Sequence, residues 1–260
     1  MQQWRAIERV MEAAKSCAEV KAIFLKGSLA TGRTDQYSDV DFYCLVSDTD
    51  LAAFLDKRLD LLRSYRPLLF YSHSDFVGPQ IVAVFDDGLH FDLYTVTEQR
   101  FPLAGPMRVL YDPHGLLSQY LARQQTHALS PADLIENFNS FTFSLLEFVT
   151  AWQRGDRCWA YRLASHLSGH LALALRHRYD PDQGQLGMKR LEPVLPTAIR
   201  RVFRHAVSQA ASDSSPHAVG TFSRLMASAM RELEASGQLA VDWRFFNFMQ
   251  RELERIKARR

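Results

Sequence analysis

Cysteine is scarce in this chain, and its three copies, Cys17, Cys44 and Cys158, stand at unrelated spacings. They build neither a disulfide framework nor a paired zinc motif, and they suit a reducing compartment. No apolar run approaches the roughly 20 residues that a membrane-spanning helix needs. Met1-Gln2-Gln3-Trp4-Arg5 leads into a charged amphipathic stretch and not into the apolar core of a secretory leader. A soluble, cytoplasmic protein without a membrane partner is expected. A large charge of one sign is missing too: 31 Lys and Arg meet 29 Asp and Glu, a formal +2. That total is too small for electrostatic capture of nucleic acid, and no nucleic-acid partner is expected. The basic C-terminal segment is interrupted by Glu252 and Glu254 and reads as an ordinary helix end.

What is present is enough apolar material, 47% of 260 residues, to bury a substantial core. The charge divides unevenly along the chain. Residues 1–104 hold 11 Lys and Arg against 15 Asp and Glu, net −4, and the remainder holds 20 against 14, net +6. Strand-like texture stops at residue 104. The expected fold class is therefore α/β, a mixed sheet with flanking helices over 1–104, followed by an all-α bundle over 130–260. Pro102, Gly105 and Pro106 mark a linker over 105–129, with a short helix near 114–123.

Within the first part, Trp4, Ile7, Val10-Met11, Ala14 and Ala18 fall on one stripe of a helix over 2–19. Strands are expected at 22–26, 39–46, 68–72, 81–85 and 89–97, with a helix from Asp48 to Tyr65. Asp86-Asp87-Gly88 between two β-rich runs signals a hairpin turn. In the second part, Ser130-Pro131-Ala132-Asp133 opens a helix that Gly155 closes, Asp156 caps the next one, and further helices follow over 197–211, 217–236 and 242–258.

One run carries chemistry: Phe24-Leu25-Lys26-Gly27-Ser28-Leu29-Ala30-Thr31-Gly32, followed by Asp39-Val40-Asp41-Phe42-Tyr43. Strand alternation sends Val40, Phe42 and Cys44 to the core and sets Asp39 and Asp41 side by side on the opposite, wet face. Two such carboxylates repel, and a divalent cation relieves them; a hard ion such as Mg²⁺ takes oxygen ligands. Gly27 lets the backbone approach a phosphate, and Ser28 adds a hydroxyl donor at the same turn. Acidic pairs at this spacing are common by chance. Glycine-serine at the right distance before them gives the pattern its specificity. On the later strand, Asp92 shares a face with His90 and Tyr94, opposite Phe91, Leu93 and Thr95.

This run resembles the Gly-Ser…Asp-x-Asp signature of the polymerase-β-like nucleotidyltransferase superfamily, and is most similar to its lincosamide and aminoglycoside nucleotidyltransferases. The lincosamide branch carries Glu at the second acidic position, where this chain has Asp41. The resemblance spans residues 20–97 and implies a Mg²⁺-dependent enzyme. Its reaction would move a nucleoside monophosphate, AMP from ATP, onto a hydroxyl of a small molecule such as a lincosamide or aminoglycoside antibiotic. It further implies Asp39, Asp41 and Asp92 as catalytic metal ligands, with Asp92 as metal ligand or base. Gly27 and Ser28 would bind the nucleotide, Lys189 would reach the triphosphate, and the protein would be a homodimer. Two alternatives stay open: an antitoxin-like adenylyltransferase acting on a protein, and a non-catalytic nucleotide-binding module. His73 and His90 are read as structural or exposed. His166 and His170, four apart on a helix, lack the glutamate of a zinc-protease motif (Leu167 stands there) and a third ligand, and are read as a polar helix face.

Overall fold

The computed structural model describes residues 1–258 and divides into two compact units, Met1–Thr126 and His127–Arg260. The first unit opens with α1 (Gln2–Lys15), which buries Ile7, Val10 and Ala14 of the expected stripe together with Ala6, while Trp4 and Met11 are half-buried and Ala18 is exposed beyond its end. It ends four residues early, because Ser16 and Cys17 turn back onto the carbonyls of Ala13 and Ala14. Then come β1 (Val20–Leu25), the one-turn α2 (Gly27–Thr31) and β2 (Val40–Val46). The helix expected from Asp48 to Tyr65 is two pieces, α3 (Leu51–Leu55) and α4 (Arg58–Arg63). At the break, the buried Arg58 side chain donates to the carbonyl of Leu55.

Strands β3 (Leu68–Asp75), β4 (Pro79–Phe85) and β5 (His90–Val96) follow. The β4–β5 hairpin closes through Gly88, whose φ of 81° suits glycine and whose N–H donates to Phe85 O at 2.9 Å. A sixth strand, β6 (Arg108–Tyr111), comes from the stretch read as linker and pairs antiparallel with β1; short α5 (Ser118–Leu121) lies beyond it. Absence of strands after residue 104 is thus corrected. β6 is only four residues long and lies at the sheet's edge, so it leaves little alternation to read.

The sheet runs β3-β4-β5-β2-β1-β6, with β2 and β5 parallel and every other pair antiparallel. One face, carrying Phe42, Cys44, Phe91 and Leu93, packs on α1, α3 and α4 through Ile7, Val10, Phe54 and Leu62. On the other face Asp41 is partly exposed, and β3 is open to solvent along most of its length. Farther along, Phe24, Tyr43, Leu45, Tyr94 and Val96 are covered by Leu117, Tyr120 and Phe101, which corrects the expectation of an open face throughout.

The second unit is helical: α6 (Pro131–Gln153), α7 (Arg157–Tyr179), α8 (Thr197–Gln209), α9 (Ser215–Ala235) and α10 (Trp243–Ala258). Ser130 and Asp133 form a reciprocal capping box at the start of α6, and Asp156 caps α7 by accepting from Trp159 N–H. Phe138, Phe141, Phe148, Leu167, Leu171, Phe222, Met230 and Phe246 fill the shared core. Among the described residues, no helix is long and apolar enough to cross a membrane.

Phe91 holds β5 in place by packing against Phe42 and Phe85, with ring centroids 5.5 and 5.9 Å away. Phe91→Ala is expected to cost about 3–5 kcal/mol in urea unfolding; a loss below about 1 kcal/mol would show that this contact does not hold β5.

Candidate active site

The acids reach one place because β2 and β5 are parallel neighbours in a register that sets Asp41 opposite Asp92 and Tyr43 opposite Tyr94. Side chains on this face alternate with the buried phenylalanines, so the carboxylates and tyrosines emerge on the same side. Tyr43 and Tyr94 stack with centroids 4.3 Å apart and planes 7° from parallel. They form an aromatic floor behind the acids, and burial pushes both phenols well above their ordinary range, with the neighbouring carboxylates adding to the rise.

Asp39 stands just before β2, at the end of a loop that is fastened internally. Asp35 Oδ1 accepts from Tyr37 N–H and from the Ser38 hydroxyl, both at 3.0 Å. Gln3, buried on α1, donates from Nε2 to the carbonyls of Asp35 and Ser38, each at 3.1 Å. α1 therefore aims Asp39 as well as covering the sheet. Sequence reading gave Gln3 no role; its signal was a polar residue on an otherwise apolar stripe.

Asp39, Asp92 and His90 each offer a ligand atom, all within 4.8 Å of one another. His90 lies between the carboxylates: Nε2 is 3.2 Å from Asp92 Oδ1 and Nδ1 is 3.9 Å from Asp39 Oδ2. This corrects the reading of His90 as outside the site. Its place two residues from Asp92 on an alternating strand was the available signal. Burial raises the pKa of Asp92, opposed by the neighbouring His90 and by hydrogen bonding from Gln80 and His90. His73, by contrast, is exposed on β3, and Tyr37 is largely open to solvent.

Asp41 packs differently. A Cβ built on Gly27 would lie 2.1 Å from Asp41 Oδ2, and Gly27 has φ +64°. Glycine is thus demanded twice, by conformation and by the carboxylate against it. Beside it, Ser28 Oγ is buried without a hydrogen-bond partner. Lys26, also buried, donates from Nζ to the carbonyls of Pro102 at 3.1 Å and Gly105 at 3.2 Å, tying that turn to the glycine-serine bend. Its pKa is pushed down to about 8 by burial, against the pull of Asp41.

Lys189 belongs to the second unit. It is exposed on a turn that the buried Arg176 secures by donating to the carbonyls of Gly187 and Lys189.

Two outcomes follow from this geometry. Gly27→Ala is expected to cost about 1–2 kcal/mol for the left-handed backbone and to displace the Asp41 carboxylate; an unchanged urea midpoint would contradict the packing. Lys26 titrates lower in the folded than in the unfolded chain, so its charge opposes folding below pH 8 and that cost fades between about 8 and 10.5. Unfolding free energy should therefore climb with pH across that window relative to Lys26→Met, and parallel curves for the two proteins would refute the assignment.

Residues 7–102 match the model of the nucleotidyltransferase domain family. Comparison with curated proteins finds no sequence match. Among solved structures, an aminoglycoside 6-adenyltransferase from Bacillus subtilis aligns over 98% of this chain and 97% of its own at 10% identity, TM-score 0.43. A nucleotidyltransferase-like protein from Exiguobacterium sibiricum 255-15 aligns over 98% and 89% at 13% identity, TM-score 0.37. A CD-NTase from Bradyrhizobium diazoefficiens, in complex with GTP, aligns over 97% and 82% at 15% identity, TM-score 0.30. The sequence match falls on the segment that carries the glycine-serine bend and all three acids, and makes residues 7–102 a nucleotidyltransferase domain.

Proposed function

We propose that the enzyme transfers a nucleoside monophosphate, AMP from ATP, to a hydroxyl of a small molecule, with Mg²⁺ as its metal. The observation that carries this reading is the convergence of Asp39, Asp92 and His90 within 4.8 Å, with Asp41 in register beside Asp92. Their donor set fits a hard divalent cation: carboxylate oxygens dominate, and an imidazole spaces two of them apart. Asp39, Asp41 and Asp92 would hold it. When bound, it neutralises phosphate charge and stabilises the charge that develops on the leaving group.

The residues of the chain supply the rest. Ser28 offers a buried hydroxyl with no protein partner, and with the Gly27 backbone beside it would bind a phosphate oxygen. Asp92 takes the proton of the acceptor hydroxyl as that oxygen attacks the α-phosphorus and the bond to the β-phosphate breaks, releasing pyrophosphate. The Nε2–H of His90 orients the Asp92 carboxylate. Lys189 would extend to the triphosphate, and a second copy of the chain would complete a homodimer. Both readings rest on the sequence resemblance.

The acceptor class is proposed from the same resemblance, a lincosamide or aminoglycoside. The test is pyrophosphate release from Mg²⁺-ATP against a panel of these drugs, with mass analysis of the modified drug. Asp39→Ala should lower turnover on the order of 10³-fold or more with its circular dichroism unchanged. Substantial transfer by a well-folded Asp39→Ala protein would refute the site; no drug modified by an enzyme that still hydrolyses ATP would refute the acceptor only.

A further inference from the structure

Away from the acidic cluster, the helical unit holds a pair of imidazoles whose arrangement is more specific than a polar helix face requires. His166 and His170 lie one turn apart on α7, with their Nε2 atoms 3.0 Å apart. Their rings meet edge to face, with centroids 4.5 Å apart and planes at 84°. The inner ring is held from behind by Asn137 of α6, itself buried. Asn137 Nδ2 donates to the backbone carbonyl of His170 at 3.0 Å, which turns Asn137 Oδ1 toward His170 Nδ1 at 2.8 Å. An amide oxygen only accepts, so His170 Nδ1 carries the proton and its Nε2 presents a lone pair to His166. A backing acceptor that fixes the tautomer of a histidine is the usual outer partner of a metal-ligating imidazole.

Without a metal, the proton on His166 Nε2 fills the space between the two nitrogens. His166 is exposed, so that proton can pass through water to Nδ1 of the same ring. Both Nε2 atoms then carry a lone pair, and no net proton is released.

We infer that His166 and His170 form a two-imidazole site for a late first-row divalent cation, copper(II) foremost, with water or a donor from another molecule completing its coordination. At a separation of 3.0 Å both nitrogens are within reach of one ion at metal–nitrogen distances of about 2.0–2.1 Å. Copper(II) stands at the top of the affinity order for such donors. Among the described residues, the single group of three or more His, Cys, Asp or Glu ligand atoms is the one at Asp39, His90 and Asp92. This second site is therefore an open one with two protein ligands, unlike a closed structural centre. The missing third ligand and the leucine at position 167 exclude the hydrolytic zinc motif but not this use of the pair.

The site is tested by titrating the whole protein with Cu²⁺ under millimolar Mg²⁺ and with free glycine as a competing chelator, followed by calorimetry and electron paramagnetic resonance. One Cu²⁺ per chain should bind with an axial signal showing nitrogen ligands. His166→Gln, at an exposed position where folding is not at stake, should weaken that binding at least about tenfold. Zn²⁺ should bind the parent more weakly than Cu²⁺. Equal affinity and an identical spectrum for parent and His166→Gln would overturn the proposal, as would binding that glycine abolishes in both proteins. His170→Gln gives a second arm: a folded variant that keeps full Cu²⁺ affinity would overturn it equally.

Discussion

The structure depends on one pairing, the parallel contact between β2 and β5. Those strands lie fifty residues apart in sequence, and their register sets Asp41 opposite Asp92. The same register puts Phe42 against Phe91 on one face and Tyr43 against Tyr94 on the other. A slip of one residue would turn the phenylalanines to water and the acids into the core. The hydrophobic effect on one side of the sheet thus fixes electrostatics on the other. Like charges are held together because the apolar packing that positions them is far stronger than their mutual repulsion across a partly wet site.

Around that pairing the site is assembled from small local devices. Gln3 fastens the loop before Asp39, Gly27 makes room for Asp41, and Lys26 binds the 102–105 turn to the glycine-serine bend. Each removes a freedom that the acids or the bend would otherwise have, which is how a binding site acquires fixed geometry before its ligand arrives. Ser28 differs from these, a buried hydroxyl left without a partner. Such a group carries a cost that an incoming acceptor oxygen removes.

Much of this was legible in the chain itself, and the reasons differ by element. The β4–β5 hairpin followed from Asp86-Asp87-Gly88, because few turns other than a tight one use that chemistry. The amphipathic α1 and the capped α6 and α7 were readable because period and caps agreed. Alternation placed Asp92 on the face opposite Phe91 and Leu93, as the core shows. What was not legible was non-local. The spacing of residues does not reveal that β2 and β5 are neighbours, so the place of His90 between Asp39 and Asp92 stayed hidden. β6 escaped because an exposed edge strand of four residues has no buried face to impose a pattern. The break between α3 and α4 escaped because Arg58, a good helix former, spends its side chain on a backbone carbonyl at that point.

The central claim, that carboxylates from β2 and β5 share a cation next to the glycine-serine bend, is tested most directly by crystallography with Mn²⁺ and a non-hydrolysable ATP analogue. The account predicts an anomalous peak within about 2.3 Å of carboxylate oxygens from both Asp39 and Asp92, with a phosphate oxygen at Ser28 Oγ. A nucleotide bound elsewhere, or a manganese peak that contacts none of the three acids, would contradict it.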